Sequence, residues 1–260
     1  DAENIEAQTG LPVYATLAHS PILDKFRKRR GNTLPLLALE DHEDLTLESL
    51  RSLRTVLYFA QKTAKNNVVL ISGPAPELGK SFISANLATI LAQTGKIVLL
   101  IDADMRRGHI HKYFDANPQQ GLADLLEDHS SFAAHDVIQS TAIKGLSFMS
   151  RGKTPDNPSE LLLNPKFEQF LQEMSEHYDH VIIDSPPLLA VTDGIIISKY
   201  TGLNLLVARY GKTPINEIKL CVSRLQHSGQ DVQGIVLNDV PQGALQSEGY
   251  SYTYKYRSTK

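Results

Sequence analysis

The apolar run NVVLIS (67–72) leads into the turn GPAPELGKS (73–81), and the turn leads into the helical pattern SFISANLATILAQTG. This unit constrains the chain more than any other stretch. A run that is apolar at every position, without alternation, is buried on both faces, and such strands belong to parallel sheets covered by helices. The alternation recurs along the sequence. KIVLLIDAD, LSFMS, HVIIDSPP, NLLVARY and VQGIVLND read as strands, whereas PKFEQFLQEMSEHY, the segment Gly194–Ser198 and INEIKLCVSRLQHSG read as helices. The fold class is therefore α/β, a mostly parallel sheet with helices on both faces, and its ligands belong at the carboxyl ends of the strands.

The turn ends in Gly79-Lys80-Ser81, as a phosphate-binding loop does, but the pattern G-x-x-x-x-G-K-[ST] puts Pro74 at its first position, and Gly73 lies one residue early. Proline lacks an N–H. The amides that cradle a phosphate come from the later part of such a loop, so a proline at its start removes no obvious donor, and Gly73 supplies the sharp exit from the strand. The helix that follows presents unpaired N–H groups and a positive dipole end to an anion. In that reading Lys80 reaches the β/γ-phosphates and the Ser81 hydroxyl binds Mg²⁺. The bland alternative is a strand–turn–helix connection with a surface lysine, and the strand before and helix after favour the phosphate site. Asp102 and Asp104 follow one apolar run, and Asp184 follows another. Carboxylates there offer the hard oxygens Mg²⁺ needs, directly or through water. Singly, each reads as a cap or turn residue.

The remaining features bound the function. With 260 residues, 42% hydrophobic and 21% charged, the chain can build one sizeable core with short appendages. A net charge of −3 provides no global field for nucleic acid. The single cysteine, Cys221, excludes a disulfide framework and a cysteine metal cluster. No run of about 18 apolar residues is present to span a bilayer. The chain starts at Asp1 without a signal-peptide pattern and is expected to be a fragment or processed form. Residues 1–40 read as a lead-in with little periodicity, residues 41–240 as the folded domain and residues 241–260 as a flexible tail. The lead-in carries KFRKRR (25–30), either a solvated linker or a segment near an anionic leaflet. EDHEDLTLESLRSLRTVLYFAQ reads as a helix capped by Asp44 or Thr46, with Leu47, Leu50, Leu53, Leu57 and Phe59 near one stripe.

Together these residues resemble a known family. IVLLIDADMR is similar to the Walker A′ pattern and VIIDSPP to the Walker B form of the MinD/Mrp-type P-loop ATPases. Within that group the chain resembles the bacterial tyrosine kinases of polysaccharide export, the Wzc/Etk type. ESLRSLR (Glu48, Arg51, Arg54) matches the family's E-x-x-R-x-x-R oligomerisation motif, and SRGKTPDNPSELL (150–162) matches its R-G-x-x-P-x-N-P-x-E-L-L segment. Ala75 occupies the place of the MinD-type signature lysine, and the tail carries Tyr250, Tyr252, Tyr254 and Tyr256. The resemblance implies a P-loop fold, ATP/ADP and Mg²⁺ as cofactors, and a nucleotide site at Gly79, Lys80, Ser81, Phe82 and Asn238. It implies metal-associated roles for Ser81, Asp102, Asp104 and Asp184, with Lys80, Asp102 and Asp104 in the chemistry. It also implies autophosphorylation of the four tail tyrosines between subunits of a ring held by Glu48, Arg51 and Arg54. The place would be the cytoplasmic face of the inner membrane, after a transmembrane segment outside this sequence. The partners would be a cognate tyrosine phosphatase and the capsular or exopolysaccharide export machinery, with no nucleic acid.

Several residues keep two readings. Arg106 either stabilises phosphate charge or makes a surface salt bridge. Asn238 either bonds the adenine, as the resemblance suggests, or simply ends a strand. Glu48, Arg51 and Arg54 share a helix face, where an intrahelical pair is the default and the accompanying motifs favour an interface. The best-known enterobacterial members have a tyrosine after the D-x-D-M-R-[KR]-G run, and its phosphorylation acts through an arginine. Here the tyrosine's position is His109, while Arg151 matches the arginine, so the regulatory phosphotyrosine gate is expected to be missing. The competing function is a MinD/ParA-like nucleotide-switched assembly ATPase without kinase activity, against which Ala75 and the tyrosine tail argue.

Overall fold

The computed structural model describes residues 1–21, 33–40, 44–127 and 129–247. Eight strands are present among them: β1 Val13–Ala18, β2 Val68–Ser72, β3 Val98–Asp102, β4 Ile138–Ser140, β5 Leu146–Met149, β6 His180–Asp184, β7 Leu203–Arg209 and β8 Gly234–Val240. They form one sheet in the order β1-β8-β7-β2-β6-β3-β5-β4. Every pairing is parallel except the short edge pair β4–β5. Four long helices cover it: α1 Leu45–Ala60, α2 Lys80–Gln93, α3 Pro165–His177 and α4 Ile215–His227.

The central strands show why uninterrupted apolar runs fit here. Val69 and Ile71 of β2 point into the core shared with α1 and α2, while Val68 and Leu70 point into the core shared with α3. Likewise Leu205 and Val207 of β7 join the first core, and Leu206 and Ala208 join a third one under α4. Both faces are dry, so each position of the period-two strand must be apolar. On α1, Leu47, Leu50, Leu53 and Leu57 are buried as their spacing predicts, but Phe59 is 61% exposed. At 100° per residue it falls off the stripe, two residues after Leu57.

Two segments differ from their sequence reading. Residues 1–20 contribute a helix, Ala2–Thr9, and the edge strand β1, paired in parallel with β8. Its six residues find their partner more than 200 positions away, beyond the reach of local periodicity. The start of α1 is fastened to the end of β1. Asp44 accepts the Thr46 amide at 2.7 Å and the Ser20 hydroxyl at 2.6 Å, and Thr46 Oγ1 donates to the Ala18 carbonyl at 2.7 Å. The segment after β8 continues as a helix, Gln242–Ser247, with Ala244 and Leu245 packed against the α4 core. KFRKRR (25–30) and Tyr250, Tyr252, Tyr254 and Tyr256 lie outside the described residues.

Candidate nucleotide and phosphoryl-transfer site

β2 sits between β7 and β6, and β3 lies on the far side of β6. The loop after β2 therefore emerges beside the ends of β6 and β3, where Asp184 and Asp102 are the last residues and are paired in register. Gly73 permits the exit from β2, because a Cβ there would lie 2.7 Å from the Val207 carbonyl oxygen. The Gly73 carbonyl accepts the Leu188 amide at 2.9 Å, which pins the loop's first turn to the segment after β6. Gly79 closes the loop in the left-handed region, φ 95°, where glycine is favoured. A Cβ there would also meet the Asn238 carboxamide at 2.1 Å.

The side chains of the loop's end converge. The Ser81 hydroxyl donates to Asp184 Oδ2 at 2.7 Å and the Ser84 hydroxyl to Asp184 Oδ1 at 3.0 Å. No motif points to Ser84, but it lies one helical turn after Ser81, and that spacing was the available signal. Lys80 is buried at 8% exposure, and its Nζ donates to the loop's own Ala75 carbonyl at 2.9 Å. Burial lowers the Lys80 pKa, with Asp184 and Asp104 opposing. Burial pushes the Asp184 carboxyl up to about 6, against the pull of Lys80 and the two serine hydroxyls.

Asp102 is fully buried, with Oδ1 accepting the Asp104 amide at 3.2 Å and Oδ2 the Ile110 amide at 3.1 Å. Gly108 packs on this carboxylate so closely that a Cβ would stand 2.3 Å from Oδ1. Burial and the neighbouring Asp184 raise the Asp102 pKa well above the usual carboxylate range, outweighing both amide bonds. Asp104 is half-buried, and its Oδ1 accepts the amides of Arg106 and Arg107. Among the described residues no three His, Cys, Asp or Glu side chains group as metal ligands. The three aspartates are thus neighbours rather than a closed cage.

Arg106 pairs with Asp193 at 3.2 Å, and Ser159 Oγ donates to the same Asp193 oxygen at 2.6 Å. Asp193 is fully buried and its Oδ2 has no partner. The salt-bridge reading of Arg106 is the one the geometry displays, although its partner is buried. Arg151 donates to Thr154 Oγ1 at 2.6 Å and to the Met105 carbonyl at 3.4 Å, so it braces the loop after β3 that carries Asp104. Its neighbour Gly152, φ 81°, lies against the Asp124 carboxylate. His109 is exposed. Asn238 donates to the Leu78 carbonyl at 2.8 Å. It also lines a cavity of about 710 Å³ with Gly79, Phe82, Tyr113 and Thr46, in the range of small-ligand pockets.

Glu48 and Arg51 are hydrogen-bonded to each other on α1. Arg54 lines a separate groove of about 320 Å³ with Tyr58, Phe59 and His180. His180 begins β6 and Asp184 ends it, so this groove lies at the opposite end of the sheet from the loop.

Residues 77–228 match the family model described as AAA domain. The kinase domain of Escherichia coli tyrosine kinase ETK aligns with a TM-score of 0.86 and 38% identity, covering 93% of this chain and 95% of that chain. This chain belongs to the bacterial tyrosine kinases of the Wzc/Etk type. The BceF tyrosine kinase domain aligns equally well, with a TM-score of 0.86 and 44% identity over 93% of this chain and 98% of that chain. Tyrosine-protein kinase ptk of Acinetobacter johnsonii is 52% identical over 253 residues, 96% of this chain and 34% of that protein. The chain thus spans about a third of the length of the curated Wzc/Etk-type relatives it matches. No helix among the described residues is long and apolar enough to cross a membrane.

The residues of this Wzc/Etk-type loop fit a magnesium nucleotide. The first turn of α2 has no side-chain cap, so its leading amides lack a side-chain acceptor where an anion would sit. The Ser81 hydroxyl stands against a buried carboxylate, a donor set of hard oxygens. Mg²⁺ characteristically keeps waters and phosphate oxygens and takes only one or two protein ligands, which suits a site without a protein cage.

Proposed function

We propose that this chain is the catalytic domain of an ATP-dependent protein-tyrosine autokinase. It phosphorylates its own Tyr250, Tyr252, Tyr254 and Tyr256, mainly between subunits, and so regulates capsular or exopolysaccharide synthesis and export. The observation that carries the reading is the convergence of Ser81 and Ser84 on Asp184 beside Lys80, in a family of tyrosine kinases.

Lys80 and the amides from Gly79 to Phe82 bind the phosphates of ATP, and Asn238 with Phe82 borders the base. Ser81 would hold Mg²⁺, with Asp184 and Asp104 supporting it, and the bound ion would supply neutralisation of charge at the phosphoryl group. A tyrosine hydroxyl is protonated at neutral pH. Its oxygen forms the new P–O bond as the bond to the β-phosphate breaks and ADP leaves. The proton passes to Asp102, the carboxylate assigned here as the general base. On this reading Glu48, Arg51 and Arg54 pair with a neighbouring subunit in a ring at the cytoplasmic face of the inner membrane. A transmembrane segment would precede the domain, and a cognate phosphatase and the export machinery would be its partners.

Incubation with Mg-ATP and a phosphotyrosine readout tests the proposal. Wild type acquires phosphotyrosine; Lys80→Met and a chain ending near residue 245 do not. Phosphotyrosine unaffected by Lys80→Met would overturn it, and ATP hydrolysis without phosphotyrosine would favour the assembly-ATPase alternative.

A further inference from the structure

A loop that turns its amides inward to a phosphate must turn the carbonyls of the same peptide units outward, and those carbonyls need donors from elsewhere. Two consecutive carbonyls before Gly79 have such donors. Leu78 O accepts from Asn238, and Glu77 O accepts Arg209 Nη1 at 3.1 Å. Arg209 is the last residue of β7, and the rest of its guanidinium is committed to Asp239 of β8. Nε donates to Asp239 Oδ2 at 2.7 Å, and Nη2 pairs with the same oxygen. The other oxygen, Oδ1, lies 2.6 Å from His19 Nδ1, just past the end of β1. The Arg209 side chain is only 12% exposed. Partial burial alone would raise the Asp239 pKa, but the hydrogen bonds from His19 and Arg209 outweigh it and hold the carboxyl below its usual range.

The backbone marks the same bridge. Among the described residues three non-glycine residues have positive φ: Glu77 at 59°, Asp115 at 49° and Asp239 at 63°. Two of the three are the ends of this Glu77–Arg209–Asp239 chain. A left-handed non-glycine residue is uncommon and persists where its surroundings over-determine it.

We infer that Arg209 is a positioning residue for phosphate binding: oriented by Asp239, it holds the Glu77 carbonyl outward and thereby sets the amides that follow. This rests on the nucleotide reading of the loop. Through His19, the clamp also links the N-terminal edge strand to the phosphate loop. An arginine is required because three of its nitrogens work at once in a planar fork, which a lysine ammonium cannot reproduce.

The test measures Mg-ADP affinity by calorimetry, and KM for ATP and kcat for phosphotyrosine formation. It uses Arg209→Ala, Arg209→Lys and Asp239→Asn, with thermal melts of each. Arg209→Ala is expected to weaken Mg-ADP about tenfold or more and to raise KM for ATP by a similar factor, with a smaller change in kcat. Arg209→Lys should recover little of this, and Asp239→Asn should fall between it and wild type. Should Arg209→Ala lose its melting transition, the other two variants carry the test. Unchanged ADP affinity and KM in folded Arg209→Lys and Asp239→Asn would overturn the inference while leaving the nucleotide reading intact. Failure of wild type itself to bind Mg-ADP would overturn both.

Discussion

At the scale of single residues, the site concentrates electrostatic cost. Asp184 and Asp102 are both buried, and both have raised proton affinity because burial disfavours their charged forms. The folded state therefore binds a proton at Asp184 more tightly than the unfolded chain does. Its contribution to stability is complete below the unfolded value of 3.8 and is lost as the pH rises to about 6. In metal-free protein, the melting temperature of Asp184→Asn minus that of wild type should grow more positive from pH 4 to pH 6.5. A difference constant across that window would contradict the assignment. Saturating Mg-ADP should shrink the wild-type loss, because a cation bound at the proposed site would stabilise the carboxylate. The second residue-scale prediction concerns regulation. With His109 in place of a tyrosine and Arg151 bonded to Thr154 and the Met105 carbonyl, no internal phosphotyrosine gate is expected. Tyr113 is half-buried in the cavity wall and is the nearest tyrosine in sequence. Mass spectrometry after autophosphorylation should find it unmodified, and Tyr113→Phe should keep activity within about twofold of wild type. Abundant phosphate on Tyr113, with activity lost in the variant, would contradict this.

Among the elements, α1 ties the N-terminal segment to the sheet. Leu53 is fully buried in the core that also contains Ile71 of β2 and Ile83 of α2. Leu53→Ala should cost about 2–5 kcal/mol of stability by denaturant titration, as buried leucine truncations do. A cost below about 1 kcal/mol would mean that α1 is not packed as described. The elements also show what the sequence could disclose. β2, β3, β6, β7 and β8 were legible because strands buried on both faces are apolar throughout, and α2 because it opens on Gly79-Lys80-Ser81. β1 was not legible, since its pairing with β8 is non-local and its six residues precede a basic cluster. The neighbourhood of the candidate site was legible where a carboxylate closes an apolar run, since Asp102 and Asp184 end β3 and β6 in register. Ser84, Asp193 and Arg209 were missed because their roles depend on partners 34 to 132 positions away, visible only once the strands are ordered.

For the whole molecule, the candidate nucleotide site and the proposed assembly face lie toward opposite ends of the sheet. The carboxyl ends of β2, β3 and β6 gather the phosphate loop and the aspartates, while Arg54, Tyr58 and Phe59 lie near the opposite end. The proposed oligomer through the α1 arginines would leave the nucleotide site open to a tail from another copy. The double variant Arg51→Ala/Arg54→Ala should sediment as a smaller species than wild type and lose most intersubunit transfer, while keeping Mg-ADP affinity within about twofold. An unchanged sedimentation profile would remove that face from the assembly. The proposed function requires transfer of the γ-phosphoryl group from a site formed by Lys80 and the aspartates. The measurement is incubation with γ-labelled Mg-ATP followed by peptide mapping of the label. Label is expected on Tyr250, Tyr252, Tyr254 and Tyr256 in wild type and on none of them in Lys80→Met or Asp102→Asn. Label released only as free phosphate, or tyrosine label that survives both substitutions, would contradict the proposed function.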